Sequence, residues 1–131
     1  MTALSDLYKT ADWKAEKHVP VIDAPGSAKK GELIKVSVSI GKEVAHPNTT
    51  EHHIRWIDVY FLPDGETAPV QIGKAEFTAH GESAKGPNLG SVYTHHEAQL
   101  CFKTEKPGTL LASGYCNIHG LWQNGKKIEI T

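Results

Sequence analysis

The run Ile34-Lys35-Val36-Ser37-Val38-Ser39-Ile40 alternates apolar and polar side chains without a break. That two-residue period belongs to a strand with one face in a core and the other in water. Lys30-Gly31 and Gly41-Lys42 bound it. A second strand is predicted from Ile54 to Leu62, ended by Pro63-Asp64-Gly65, a strong turn signal. Val70 to Thr78, Tyr93 to Lys103, Thr109 to Tyr115 and Lys127 to Thr131 read as further strands separated by breaks containing Gly or Pro, and Val19 to Ile22 adds another. Only Leu4 to Glu16 leaves room for a helix, and a short one. Gly81 to Gly90, with Pro87, reads as a long loop.

Short strands with turn signals between them, and no alternation of strand with helix, predict an all-β chain. The expected architecture is an immunoglobulin-like antiparallel β-sandwich or barrel of about seven strands, preceded by a short helical or loop segment. At 131 residues the chain has the usual size of one compact domain, so a single domain over 1–131 is expected. There are 14 basic and 15 acidic residues, for a net charge of -1. No basic excess is present to attract nucleic acid or an anionic membrane surface. The apolar runs are too short to span a bilayer, and Met1-Thr2-Ala3-Leu4-Ser5-Asp6 has neither the charged nor the apolar region of a signal peptide. A soluble, cytoplasmic protein is expected, with Cys101 and Cys116 as free thiols. Cys101, within Ala98-Gln99-Leu100-Cys101-Phe102, reads as a small buried hydrophobe.

Cys116 has different surroundings. Cys116-Asn117-Ile118-His119 sets a thiol and an imidazole three positions apart, within the aromatic frame Tyr115 to Trp122. Two further clusters are Glu16-Lys17-His18 and His46-Pro47-Asn48-Thr49-Thr50-Glu51-His52-His53. The strand assignment puts His18 just before one strand, His46 and His52 on the loop entering another, and the Cys116 pair on the loop leaving a third. Loops at one end of a sandwich can gather distant side chains into one site. One thiolate among imidazoles suits iron, copper or zinc and argues against magnesium or calcium, which prefer oxygen. Structural zinc usually takes several cysteines. Blue copper often adds an axial methionine, and the only methionine is Met1. Copper stays open, though iron is the more natural occupant.

These three clusters, with Phe77-Thr78-Ala79-His80-Gly81-Glu82-Ser83, resemble the motif set of the superoxide reductases, specifically the one-iron neelaredoxin class, over nearly the whole chain. The resemblance implies iron held by the imidazoles of His18, His46, His52 and His119, with the Cys116 sulfur axial. It implies that the Glu16 carboxylate takes the remaining position after oxidation, with Lys17 beside it on a mobile loop, and that superoxide is reduced by one electron to hydrogen peroxide. Glu16 and Lys17 are thereby the expected catalytic residues. The two-domain desulfoferrodoxins carry an N-terminal cysteine-rich rubredoxin-like module that this sequence lacks, so the implied electron source is a separate rubredoxin-type donor. A homo-oligomer, such as a tetramer, is also implied.

Other readings of the same residues compete. His53 follows His52 directly and would point to the opposite side of an extended chain. His80, His95 and His96 read as surface or hydrogen-bonded histidines. Tyr115 and Trp122 are expected to shield the sulfur and His119 from water, and backbone N–H groups from Asn117 to His119 to hydrogen-bond the thiolate. The rival functions are a cupredoxin-like electron-transfer protein, a superoxide dismutase, and an immunoglobulin-like scaffold with incidental histidines.

Overall fold

The computed structural model describes residues 1–131. Eight strands form two sheets: β1 Val21–Asp23, β2 Ser27–Ala28, β3 Ile34–Ser39, β4 Ile54–Pro63, β5 Val70–Glu76, β6 Glu97–Phe102, β7 Gly108–Cys116 and β8 Gly120–Ile130. One sheet has the order β1-β3-β6 and the other β2-β8-β7-β4-β5. Every pairing is antiparallel except that of β2 with the end of β8. The all-β sandwich is thus borne out.

Alternation explains the layers. Ile34, Val36 and Val38 of β3 turn inward to meet Ile57, Val59 and Phe61 of β4 and Leu110 and Ala112 of β7, forming one core between the sheets. Each such aliphatic side chain removed from water stabilises the fold by about 1.5–3 kcal/mol. Cys116, at the end of β7, belongs to this core.

Several boundaries differ from the sequence reading. Leu4 to Glu16 forms no α-helix: a 3-10 turn covers Leu4–Asp6, and Ala15 and Glu16 close one further turn onto the Asp12 carbonyl. Between them Lys9 is drawn onto β8, where its N–H bonds the Leu121 carbonyl and its carbonyl accepts from Gln123. The open edge of β8 satisfies that backbone more fully than a short helix with frayed ends would. The last strand begins at Gly120 rather than Lys127, because pairing with β7 carries polar Gln123 and Asn124 into the ladder. Cys101 is exposed rather than buried, since Ala98, Leu100 and Phe102 take the inward positions of β6. No helix is long and apolar enough to cross a membrane.

The register decides where the site forms. The start of β1 lies against the end of β3 (Val21 opposite Ser39), which in turn lies against the start of β6 (Ser39 opposite Glu97). In the larger sheet the start of β4 lies against the ends of β5 (Trp56 opposite Glu76) and β7 (Ile54 opposite Cys116). All eight histidines flank these termini, so antiparallel pairing alone carries every one of them to the same end of the sandwich.

Candidate metal centre

Two glycines shape the loops that bear the site. Gly41, with φ +85°, follows β3, and a Cβ there would lie 2.6 Å from the His46 backbone nitrogen, so only glycine lets that loop fold back. Gly120, with φ +81°, closes the turn from Cys116 into β8. On the other side of β7 the ladder slips between Ile54 and Trp56, an irregularity of the kind that re-aims side chains beside a site.

Four imidazoles close a ring. Their centroids are 4.9 Å apart for His18 and His46, 4.8 Å for His46 and His52, 5.0 Å for His52 and His119, and 4.6 Å for His119 and His18. Each neighbouring pair meets edge to face, at 63° to 78°. Across the ring His18 and His52 are 6.4 Å apart and within 26° of parallel. The sulfur of Cys116, 1% exposed, joins them from the core: it and one ring nitrogen from each of His18, His46 and His52 all lie within 4.8 Å of one another.

The nitrogens are sorted by their partners. His18 Nδ1 lies 2.6 Å from Glu16 Oε1, and His46 Nδ1 lies 2.6 Å from the Pro47 carbonyl oxygen. Because those oxygens only accept, each Nδ1 carries the proton and each Nε2 presents a lone pair. The Nε2 atoms of His18, His46 and His52 are buried and have no hydrogen-bond partner. Such groups are costly unless something fills the space between them. Burial pushes all three imidazoles down in pKa, His46 to about 3, so they are held in the neutral form that a metal requires.

Surrounding groups fix these rings. Trp122 stacks on His18 at 4.9 Å and 17°, and its Nε1–H donates to the His119 carbonyl at 3.2 Å. The His119 N–H donates to Cys116 Sγ at 3.4 Å, as expected of this loop, whereas the Asn117 N–H goes to the His53 carbonyl instead. Tyr115 does not shield the sulfur. It alternates with Cys116 on β7, faces the other way, and stacks on Trp56 under the Arg55 guanidinium.

Glu16 stands outside the group of converging atoms. Its Oε1 accepts from both the N–H and the Nδ1–H of His18. Burial pulls the carboxyl up, and these bonds outweigh it, leaving it below its ordinary value. Lys17 is half-buried, and its charge is one of the lesser influences lowering His18 and His52, after burial.

The comparisons agree with this geometry. A family model described as Desulfoferrodoxin matches residues 10–125. The chain belongs to the desulfoferrodoxin family. It is 56% identical over 126 residues to a superoxide reductase of Pyrococcus furiosus, covering 96% of this chain and 99% of that one. It is 53% identical over 127 residues to the neelaredoxin of Megalodesulfovibrio gigas, covering 97% and 98%. Among solved structures, the superoxide reductase (neelaredoxin) of Archaeoglobus fulgidus in the reduced form superposes with a TM-score of 0.87 at 53% identity, covering 94% of this chain and 98% of that one.

The residues fit the non-haem iron of this family. Unpartnered Nε2 lone pairs and a buried sulfur form a mixed nitrogen and sulfur donor set suited to iron. The other histidines are set apart from it. His53 Nδ1 bonds the Thr49 carbonyl, His80 Nδ1 bonds Glu82, and His95 is exposed. His96 is not at the surface, and its imidazole makes no hydrogen bond; the ring is buried 5.9 Å from the His46 ring, and burial pushes it to about 4. Its place opposite β3 depends on the β3–β6 register, which no local motif encodes.

Proposed function

We propose that this chain is a non-haem iron superoxide reductase, which adds one electron and two protons to superoxide and releases hydrogen peroxide. The observation that carries this reading is the closed ring of four imidazoles, three with orphaned Nε2 atoms, over a buried cysteine sulfur. Its relatives bearing the same names support it. In this reading His18, His46, His52 and His119 hold the metal with Cys116. Iron bound there supplies the electron, its ease of oxidation raised by the electron-rich thiolate.

The chain's own residues do the rest. Four neutral imidazoles and one thiolate leave a ferrous site with a charge of about +1, which favours an approaching anion. Lys17 adds to that attraction. The carboxylate of Glu16 holds His18 by its Nδ1–H, a carboxylate–histidine arrangement that fixes the ring and raises its basicity as a ligand. The same carboxylate, held below its ordinary pKa, would be the neighbouring anion able to offset added positive charge on a metal at this site, as the family resemblance implies. His119 and Ile118 are both exposed, so the loop that carries the sulfur reaches water, the proton source in this reading. A cupredoxin-like site would leave two of the four imidazoles without a role.

A rubredoxin-type one-electron donor, a homo-oligomeric assembly and a cytoplasmic setting complete the proposal. They rest on the family resemblance and, for the last, on two unpaired thiols. Superoxide presented to the iron-loaded protein without reductant separates reduction from dismutation. The expected outcome, starting from the ferrous protein, is that both products stay at the spontaneous background except for a hydrogen peroxide excess of at most one equivalent per iron, with no oxygen evolution beyond the spontaneous rate. Sustained stoichiometric oxygen release would identify a dismutase instead.

A further inference from the structure

Asn117 stands between the loop that carries the sulfur and the loop that carries His46 and His52. Its side-chain Oδ1 accepts the His53 backbone N–H at 2.9 Å, and its Nδ2 donates to the Glu51 carbonyl at 2.9 Å. Its own backbone N–H donates to the His53 carbonyl at 3.2 Å. The planar amide therefore grips the chain on both sides of His52, taking the carbonyl before it and the N–H after it. Only a side chain with a donor and an acceptor in one plane, at this length, makes both bonds.

The far side of the same turn is closed from within. The His52 N–H donates to Thr49 Oγ1 and the Thr49 N–H to the His52 carbonyl, each at 3.0 Å. Thr49 holds the turn to itself, whereas Asn117 holds it to the Cys116 loop across more than sixty residues of sequence. We propose that Asn117 is a positioning residue: by clamping the peptides that flank His52, it fixes the distance between the His52 imidazole and the Cys116 sulfur. The proposal rests on the reading of His52 and Cys116 as metal ligands.

The test is a double-mutant cycle read by Co2+ affinity, measured by absorption in competition with a chelator, on the metal-free full chain. Asn117→Ala is expected to weaken Co2+ binding by roughly 10–100-fold, the usual effect of removing an outer-shell partner. In a His52→Ala background the same change is expected to cost no more than about twofold, because the clamp acts through His52. Equal losses in the two backgrounds, or unchanged affinity in Asn117→Ala, would overturn the clamp while leaving the metal site standing. Asn117→Asp keeps the acceptor for the His53 N–H but sets a carboxylate oxygen against the Glu51 carbonyl. It is expected to lose affinity to an intermediate extent, and decides the matter if the alanine variant does not fold; wild-type affinity there would overturn the clamp. Unchanged affinity in His52→Ala alone would instead sink the ligand reading itself, and the clamp with it.

Discussion

His18, His46, His52 and His119 meet edge to face around a common centre, whereas His53 and His80 lie flat on each other with centroids 3.5 Å apart and planes within 12°. Both sets occupy the same end of the sandwich, and each contains two buried rings, His18 and His46 in the first and His53 and His80 in the second. His80 Nε2 even shares the lack of a hydrogen-bond partner seen in the first set. What differs is convergence. Lone pairs lie in the ring plane, so rings meeting edge to face can aim several of them at one point. Two stacked rings send theirs along parallel lines. Burial and an orphaned nitrogen therefore do not make a metal site unless several donor atoms also converge on one point.

The largest effect that would break this comparison comes from exchanging the roles of the two sets. His46→Ala is expected to lower Co2+ affinity by more than about 100-fold, beyond the loss typical of an outer-shell residue. His80→Ala is expected to leave affinity within about twofold and to destabilise the apo-protein by about 1–3 kcal/mol, the scale for emptying a packed buried position. Chelator competition and thermal unfolding on the two variants check both halves. Loss of metal affinity in His80→Ala would mean that convergence of ring planes is not the discriminating feature.

How far the two sets were legible in the sequence follows from the same contrast. The strand alternation from Ile34 to Ile40 predicts its own burial, and the turn at Pro63-Asp64-Gly65 ends β4 at Pro63. His18, His46, His52, Cys116 and His119 sit in motifs that name them together; the structure brings donor atoms of His18, His46, His52 and Cys116 within 4.8 Å of one another and sets the His119 ring beside those of His18 and His52. His53 and His80 come together only because the start of β4 pairs with the end of β5, a non-local register that no short pattern reports. His96 reaches its place through β3 in the same way, and Cys101 is turned outward by one step of alternation on β6. The N-terminal segment, expected as a short helical or loop stretch, takes the loop form with one 3-10 turn, and the open edge of β8 that holds Lys9 is invisible locally. Chemistry written in contiguous motifs was readable, and surroundings created by strand pairing were not.

Acid sets His46, of the first set, beside His96, a buried imidazole that belongs to neither. Burial pushes His46 to about 3 and His96 to about 4, both from an ordinary 6.5. Above about pH 7 neither the folded nor the unfolded chain protonates them. As the pH falls below 6.5 the unfolded chain takes up protons that the native fold refuses, so stability is lost progressively down to the native values. The Tm of the apo-protein is expected to be flat from about pH 8 to 7 and to fall toward pH 4. Metal competes with protons only at its ligands. His96→Phe should therefore flatten part of the slope in both apo and metal-loaded protein, whereas loading leaves the share of His46 in place, because a metal-bound imidazole takes up no proton that the unfolded chain would. A slope untouched by His96→Phe would mean that this buried imidazole does not titrate in the window.

The smallest effect concerns the ammonium of Lys17, next to His18 of the first set. Lys17 adjoins His18 and its charge acts on His18 and His52, which in the proposed reading makes it an attraction for an anion near the ring. Screening limits its reach to about 8 Å at physiological ionic strength, and one ammonium is only part of the local potential. Lys17→Ala is accordingly expected to slow the second-order reaction with superoxide by about two- to fivefold at low salt, with the difference shrinking as salt is added. Pulse-radiolysis rates over a range of salt concentrations give both the magnitude and the slope. A lysine that merely packed against the loop would lower the rate by the same factor at every salt concentration. Parallel salt profiles for the variant and the parent would therefore assign Lys17 to the loop's structure and remove it from the guidance of the substrate.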